Sequence, residues 1–357
     1  MDFSFDEDQE ALADSARRFL MTELTPELLR ELWETESGRS ERLWEQLAAQ
    51  GITAVSVPEE HGGLGMSAAE WALLAQTWGY FGGADTLMDT AFVTVAMLAR
   101  LPASDWRDTL LAQIAAGNAR VALGHPVNPH VADAHVAHLL LCERDGELHR
   151  VAPSACTRKA VQSVDPSRRI FEVQWTPDVS SPRTSTRLAT AAETAPILDA
   201  ALDHGAFAVA AQLLGLTQRV LDAAIDYTSQ RKQFGKPIGG YQAVKHLLAD
   251  VAIRYEFARP VVYRAACALA TDDPQRALYV SHAKLAALEA AQLAARNAIQ
   301  VHGAMGYTWE LDLQIFVKRI WALAGNWGDA TFHRERVAST LIDARTPIGP
   351  ARTFELE

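Results

Sequence analysis

The sequence has few cysteines, three among 357 residues. Cys142, Cys156 and Cys267 lie far apart and form no CxxC pair, so neither a disulfide framework nor a zinc site is indicated. The acidic start MDFSFDEDQE lacks a charged-then-apolar leader, and no apolar run approaches the length of a membrane span. We therefore predict a cytoplasmic protein without a membrane span.

Basic residues are also in short supply. The 33 Lys and Arg residues face 44 Asp and Glu residues, which gives a formal net charge of −11. This balance argues against duplex nucleic acid as a general partner, although a local basic patch can still receive phosphates.

Helical periodicity covers most of the chain. It is clear over Asp6–Leu20, around Leu43, after the N-cap candidate Ser67 and in the alanine-rich stretch Ala283–Ala298. Between residues 119 and 192 the pattern changes to short alternating runs, among them Val136–Cys142 and Ile170–Trp175, which predict strands. The predicted parts are a helical domain over 1–118, a small β-domain over 119–192, a helical bundle over 193–345 and a tail over 346–357.

A polar elbow joins two predicted helices within Tyr227–Leu248. Three cations, Arg231, Lys232 and Lys236, stand there beside two amides and an aromatic ring, Gln233, Gln242 and Phe234. Such a set can hold a diphosphate and a heterocycle. A solvated loop with ordinary lysines and arginines is the alternative interpretation.

The elbow sequence Arg231-Lys-Gln-Phe-Gly235, followed by Gln242-Ala-Val-Lys-His246, closely resembles the signature of the acyl-CoA dehydrogenase family. Members of that family are flavoproteins that remove two hydrogens across the α and β carbons of an acyl-CoA thioester. The resemblance implies FAD as the cofactor. It also implies a mainly α fold with an N-terminal helical domain, a middle β-domain and a C-terminal four-helix bundle.

A second motif, Gln300-Val-His-Gly303-Ala-Met-Gly-Tyr307, resembles the family turn Q-x-x-G-G-x-G-[YF], with Ala304 in place of the second glycine. The resemblance implies that Gln300 and the Gly303 backbone meet the adenosine diphosphate part of FAD. Simple helix termination is the alternative role.

The resemblance further implies a glutamate that takes the α-proton of the thioester. In most of the family it stands in a turn between the last helices, and in a minority on the helix before the elbow. Counting from Gln300 and from Arg231 places Trp327 and Gly205 at these two positions. Asp329 is the nearest acid, and it is either a base on a shorter side chain or the N-cap of the next helix. We expect no catalytic residue in this chain, with Asp329 as the fallback.

The β-domain departs from the family pattern as well. Gly124–Val131 keeps only the proline of the T-E-P-x-x-G-S-D segment that grips the flavin ring, no tryptophan matches the later K-x-W-I-[ST] segment, and the domain is reduced in length. The histidines of this region match no standard metal site, and alternation along a strand would put His135 and His138 on opposite faces. We expect no metal.

The retained and missing features form a pattern. In homo-oligomers of the family, one subunit supplies the base and the flavin-ring pocket, and its neighbour receives the diphosphate and adenosine. This chain keeps the neighbour's set, Arg231, Gln233, Phe234, Gln242, Gln300 and Gly303. The leading hypothesis is therefore a non-catalytic subunit that completes the FAD site of a homologous catalytic partner in an α2β2 tetramer.

The paired, degenerate subunits of actinobacterial steroid and cholesterol side-chain degradation are similar, which implies a bulky acyl-CoA held mainly by the partner. Three other hypotheses stay open. They are a self-sufficient homotetrameric dehydrogenase or oxidase with a non-standard base, a catalytically inactive scaffold or regulator, and a helical bundle without ligand.

Overall fold

The computed structural model of the chain describes residues 4–178 and 185–343. Helices occupy both ends of the described chain, and short strands lie between them, as predicted for a mainly α protein with a small β portion. The predicted tail, residues 346–357, lies outside the described residues.

The N-terminal helices precede the strands, and the longest helices follow them. The α-helices are α1 (Glu7–Glu23), α2 (Pro26–Glu34), α3 (Glu41–Ala49), α4 (Ala68–Tyr80), α5 (Val95–Leu98), α6 (Asp105–Ala115), α7 (Ala191–Gln230), α8 (Gln242–Ala270), α9 (Arg276–His302), α10 (Leu313–Ala324) and α11 (Ala330–Ala338).

Local capping explains several helix starts. Asp6 and Ser67 each form a capping box, at α1 and α4, in which the cap side chain and the third helical residue satisfy each other's backbone N–H groups. Helix α1 runs to Glu23 rather than to the predicted Leu20. Helix α2, which the sequence analysis did not predict, begins with Thr25 accepting from the Leu28 N–H and with a proline at its first position.

The apolar stretch Ala91–Leu101 is only partly α-helical. Asp89–Thr94 forms a π-helix that continues directly into α5. Asp89, the first residue of the π-helix, lines a cavity in the protein interior.

The strands form two sheets and a hairpin. They are β1 (Val121–Gly124), β2 (Val131–Ala132), β3 (Leu139–Arg144), β4 (Glu147–Val151), β5 (Cys156–Val161), β6 (Ile170–Trp175), β7 (Arg187–Ala189), β8 (Lys232–Gln233) and β9 (Lys236–Pro237). One sheet has the order β1-β3-β4-β7 with β1 parallel to β3, and the other has the order β2-β6-β5 and is antiparallel.

The predicted strand Ile170–Trp175 has its expected bounds, but the predicted strand Val136–Cys142 begins three residues late, at Leu139. Asp133 has a φ of 55°, and the Val136 N–H donates to its carbonyl oxygen, so the chain turns here before β3. His135 and His138 therefore precede the strand, and the argument from alternating faces was wrong for them.

Helix α7 forms the centre of the core and packs against α4, α8 and α9. A β-carbon at Gly215 would overlap the carbonyl oxygen of Gln76, so the glycine allows α7 to approach the backbone of α4. Contrary to the expectation from the sequence, α7 is long and apolar enough to cross a membrane. However, 83% of the qualifying stretch is buried inside the protein, as in a core helix.

Candidate functional site

The predicted elbow is a tight, exposed hairpin. Helix α7 ends at Gln230, and the Ile238 N–H donates to the Arg231 carbonyl at 2.8 Å to close the loop. Phe234 and Gly235, at the tip, have φ values of 51° and 82°. The Phe234 ring is 93% exposed, so this aromatic side chain is presented to solvent rather than to the core.

Side chains around the elbow hold its shape while its cations stay available. The Tyr241 hydroxyl donates to the Gln233 carbonyl at 3.1 Å, and the Lys236 ammonium lies 4.2 Å from the Tyr241 ring centroid. Within the described chain no carboxylate lies within ion-pairing distance of Arg231 or Lys232. Gln242, the first residue of α8, is exposed on the same loop.

The second predicted motif forms the end of α9. His302 is its last residue, and Gly303 follows with φ 61° and ψ −137°, a conformation that favours glycine. Nothing lies within 4 Å of a β-carbon built on Gly303, so its backbone faces open space. Gln300 is exposed one turn earlier in α9.

One aromatic contact brings the two motifs to the same end of the helices. The Tyr227 ring stacks on His302 with centroids 4.2 Å apart, and the Tyr227 hydroxyl donates to the His302 carbonyl at 3.4 Å. Since Tyr227 lies one turn before Arg231 and His302 directly before Gly303, the elbow and the α9 turn are neighbours. The Asn297 amide adds a 2.7 Å hydrogen bond to the Leu247 carbonyl between α9 and α8.

The two positions where a catalytic glutamate was sought lie against each other. Gly205 lies on α7, and a β-carbon added to it would overlap the indole ring of Trp327. Trp327 is only 2% exposed, so its side chain fills the interior at this point. Neither position carries a carboxylate, and the space between them is occupied by an aromatic ring.

The turn that carries Trp327 is held from three directions. Its φ of 55° is unusual for a residue with a β-carbon. Its N–H donates to the Asn128 side-chain oxygen at 2.8 Å, and its carbonyl accepts from His333 Nε2 at 2.9 Å. The buried Lys284 ammonium donates to the carbonyls of Leu323 and Asn326, just before this turn.

Burial explains the protonation states of two of these groups. It lowers the pKa of Lys284 to about 7 and is the main cause that lowers the pKa of His333 to about 4. His333 is therefore neutral, donating from Nε2 and accepting from the Ser281 hydroxyl on Nδ1. The Gly124–Val131 segment contributes His125, whose ring lies 5.1 Å from the Trp327 ring. This segment therefore supports Trp327.

Asp329, the fallback base, caps α11. Its carboxylate accepts from the Phe332 N–H at 2.8 Å, and its side chain is exposed. The cap interpretation of Asp329 therefore agrees with the structure.

A small cavity of about 60 Å³ remains beside Trp327, lined by charged groups that the sequence analysis did not identify. Burial is the main cause that raises the pKa of Asp89 to about 7, and the nearby Asp133 carboxylate is the second. A hydrogen bond from the Trp327 side chain and the charge of Arg168 act in the opposite direction and lower this pKa. Arg168 donates to the Asn326 side chain at 2.9 Å and to the Ala322 carbonyl, and no carboxylate in the described residues lies within ion-pairing distance of it.

Most of the remaining charges of this cluster are paired, whereas Arg169 donates to the carbonyl oxygens of Trp33 and Thr35. Arg39 pairs with Asp133, Arg319 with Asp165 at 3.0 Å, and Arg120 with Asp85 at 3.7 Å. The one available signal in the sequence was an aspartate within an otherwise apolar run at Asp89. Periodicity could not relate it to Arg168, 79 positions later, or to Arg319, 230 positions later.

The described residues contain no group of three or more His, Cys, Asp or Glu side chains that could hold a metal ion. Instead, His125 Nε2 donates to the Leu198 carbonyl at 3.1 Å, and His135 Nε2 lies 2.7 Å from the Ser37 carbonyl. These two histidines therefore have structural hydrogen bonds. Cys142, Cys156 and Cys267 are free thiols.

Two family models match the chain, the N-terminal domain of acyl-CoA dehydrogenase over residues 6–118 and its C-terminal domain over residues 196–342. The chain is 31% identical over 317 residues to the acyl-CoA dehydrogenase IpdE2 of Mycobacterium tuberculosis, covering 88% of this chain and 91% of the relative. The chain belongs to the acyl-CoA dehydrogenase family.

Solved structures with the acyl-CoA dehydrogenase fold resemble it along nearly its whole length. The ChsE4-ChsE5 complex from Mycobacterium tuberculosis aligns with a TM-score of 0.84 at 22% identity, covering 98% of this chain and all of that one. A variant of the Tcur3481-Tcur3483 steroid ACAD aligns with a TM-score of 0.81 at 22% identity, covering 95% of this chain and 99% of that one. At this identity the likeness establishes the fold, which confirms the predicted fold class.

Proposed function

We propose that this acyl-CoA dehydrogenase family member is the non-catalytic subunit of a heteromeric enzyme, with a homologous catalytic subunit as partner in an α2β2 tetramer. The observation that carries the proposal is the Trp327 ring against Gly205, because it fills the space between both positions where the family places its base. The partner then supplies the glutamate and most of the thioester site.

The residues present fit one half of an FAD molecule and not the other. The exposed cation of Arg231, the exposed amides of Gln233 and Gln300 and the open backbone at Gly303 form a surface that can receive a diphosphate and an adenosine. The segment expected to grip the flavin ring instead turns inward, where His125 and Asn128 support Trp327.

FAD, when bound, supplies the acceptor for the hydride from the β-carbon. In the proposal Arg231 neutralises the diphosphate, Phe234 and Gln242 complete the elbow around it, and Gln300 and Gly303 contact the adenosine. These five residues and Gln233 belong to this chain, and the proposal places the flavin ring in the partner.

The acyl group is proposed from the structural neighbours. The Tcur3481-Tcur3483 neighbour is a steroid ACAD, and the ChsE4-ChsE5 neighbour is a complex. We propose a bulky, steroid side-chain acyl-CoA bound mainly by the partner. The proposal includes a cytoplasmic location, which the three free cysteines favour.

The test is the FAD-to-polypeptide ratio with the native mass, measured for the chain alone and after co-expression with the dehydrogenase-like product of an adjacent gene. We expect a colourless preparation alone and one FAD per heterodimer in a tetramer with the partner. One FAD per chain in a homotetramer would contradict the proposal and favour a self-sufficient enzyme. A chain that stays free of flavin even beside a flavin-bearing partner would favour the scaffold hypothesis.

A further inference from the structure

A second and larger cavity, of about 420 Å³, also lies against α7. Adjacent residues of α7 separate the two, since Gly205 lines the small cavity and His204 lines the large one. The segment from Ser56 to His61, which includes the exposed Glu60, the start of α4, the π-helix with α5, α6 and the end of α8 form its other walls. Its volume is typical of a small-molecule site.

The floor of this cavity is apolar. Phe92, Val95, Leu111 and Leu269 are all less than 9% exposed and line it. The Phe92 ring packs on His204 with centroids 4.9 Å apart. A ligand body that contacts these side chains must therefore be apolar itself.

His204 adds one oriented hydrogen-bond acceptor to this wall. Its Nδ1 lies 2.8 Å from the Ala200 carbonyl oxygen, and a carbonyl can only accept, so Nδ1 carries the proton. Burial lowers the pKa of His204 to about 4, which keeps the ring neutral. Nε2 is then a lone-pair acceptor, and in the described chain it receives no hydrogen bond.

Two arginines line the cavity, and one of them is available to an anion. Arg107 is engaged, with Asp108 at 2.8 Å and the Leu101 carbonyl at 3.1 Å. Arg100 has only a 3.4 Å contact to Asp272 besides its bond to a backbone carbonyl, and Asp272 is 75% exposed and shared with Arg276. A solvent-screened pair of this kind is weak, so Arg100 can turn to a ligand at little cost.

We propose that this cavity binds an amphipathic small molecule with an apolar body against Phe92, Val95 and Leu269, a hydroxyl or N–H donor at His204 and an anionic end at Arg100. The site is separate from the proposed FAD surface and independent of the subunit proposal. It belongs to this chain alone.

The probe is 2-anilinonaphthalene-6-sulfonate, which carries an aromatic body, one N–H donor and a distant anion. It is titrated into the full chain by calorimetry and fluorescence. We expect saturable binding of one probe per chain, reduced at least tenfold by Ala96→Trp, which fills the cavity. The matched control is Ala249→Trp, on the exposed face of α8 about 30 Å along the helix from Leu269, and it should bind normally.

Two milder variants test the polar contacts without filling the cavity. His204→Phe and Arg100→Gln are each expected to weaken binding about fivefold, the loss of one hydrogen bond or screened charge contact. Thermal unfolding checks that every variant folds. If Ala96→Trp does not fold, His204→Phe and Arg100→Gln test the proposal. Unchanged affinity in both would overturn the proposal. Binding that survives Ala96→Trp and disappears with Phe257→Ser would also overturn the proposal. The probe would then bind the exposed aromatic side chain of Phe257 on α8 instead of the cavity.

Discussion

Trp327 and Gly205 are 122 positions apart in the chain, and the indole of the first occupies the space that a β-carbon on the second would need. Each occupies a position where the family resemblance implied a catalytic base, and the residue type at each position accounts for the residue type at the other. The ring fits because α7 has no side chain at 205, and the glycine is required because the ring is there.

This contact predicts a reversal of sign in a double-mutant cycle. Gly205→Ala should destabilise the chain by about 1–3 kcal/mol through overpacking. In a Trp327→Ala background, where the ring is gone, the same change should stabilise it by about 0.5–1 kcal/mol, the helix propensity of Ala over Gly. Urea unfolding provides the free energies.

The control for this cycle is Gly215→Ala on the same helix. Its β-carbon would meet the Gln76 backbone, so its cost should be equal in both backgrounds. Equal costs for Gly205→Ala in both backgrounds would mean that Trp327 does not fill this space.

Asp89 predicts a pH dependence of stability. Its pKa in the folded protein is about 7, above the ordinary 3.8, so the folded chain holds a proton that the unfolded chain releases. The contribution of this group to the free energy of unfolding is fully present below about pH 4. It falls by on the order of 4 kcal/mol as the pH rises to about 7. Asp89→Asn should remove this slope from the free energy of unfolding measured against pH, whereas the exposed Asp329→Asn should keep it.

The cap role of Asp329 predicts that its substitution changes the stability of the chain but not the turnover of the complex. Asn caps a helix as well as Asp, so Asp329→Asn should leave stability nearly unchanged, while Asp329→Ala should cost about 1 kcal/mol. Neither change should alter the turnover of the co-purified complex. Loss of turnover in both variants would instead identify Asp329 as a base.

The proposed contact of Arg231 with the diphosphate predicts that its substitution lowers the flavin content of the complex. Arg231→Ala should lower the FAD-to-protein ratio of the heteromer about tenfold at limiting FAD, through loss of one charge-assisted contact. The unfolding temperature of this chain alone should not change, because the side chain is exposed. Arg254→Ala, an exposed arginine further along α8, is the control and should retain FAD. An unchanged ratio for Arg231→Ala would remove the elbow from the cofactor site.

Much of the fold followed from local patterns. Helix periodicity, the Ser67 cap and the alternating run Ile170–Trp175 are set by neighbours within a turn or a strand, and each was found near its predicted place. The π-helix at Asp89 and the late start of β3 depend on packing or on single unusual φ angles, which spacing does not reveal. Helix α2 was missed although Thr25 and Pro26 form a local start signal.

By itself, the sequence determined the family motifs at Arg231 and Gln300, the mainly helical class and the absence of a glutamate at positions 205 and 327. Only the tertiary structure decided that these two positions touch, that the gap between them is filled, and that Asp89 lies buried beside them with a raised pKa. The physical reason is range. Capping and periodicity act between residues a few positions apart, whereas steric exclusion and desolvation depend on which distant segments the folded core brings together.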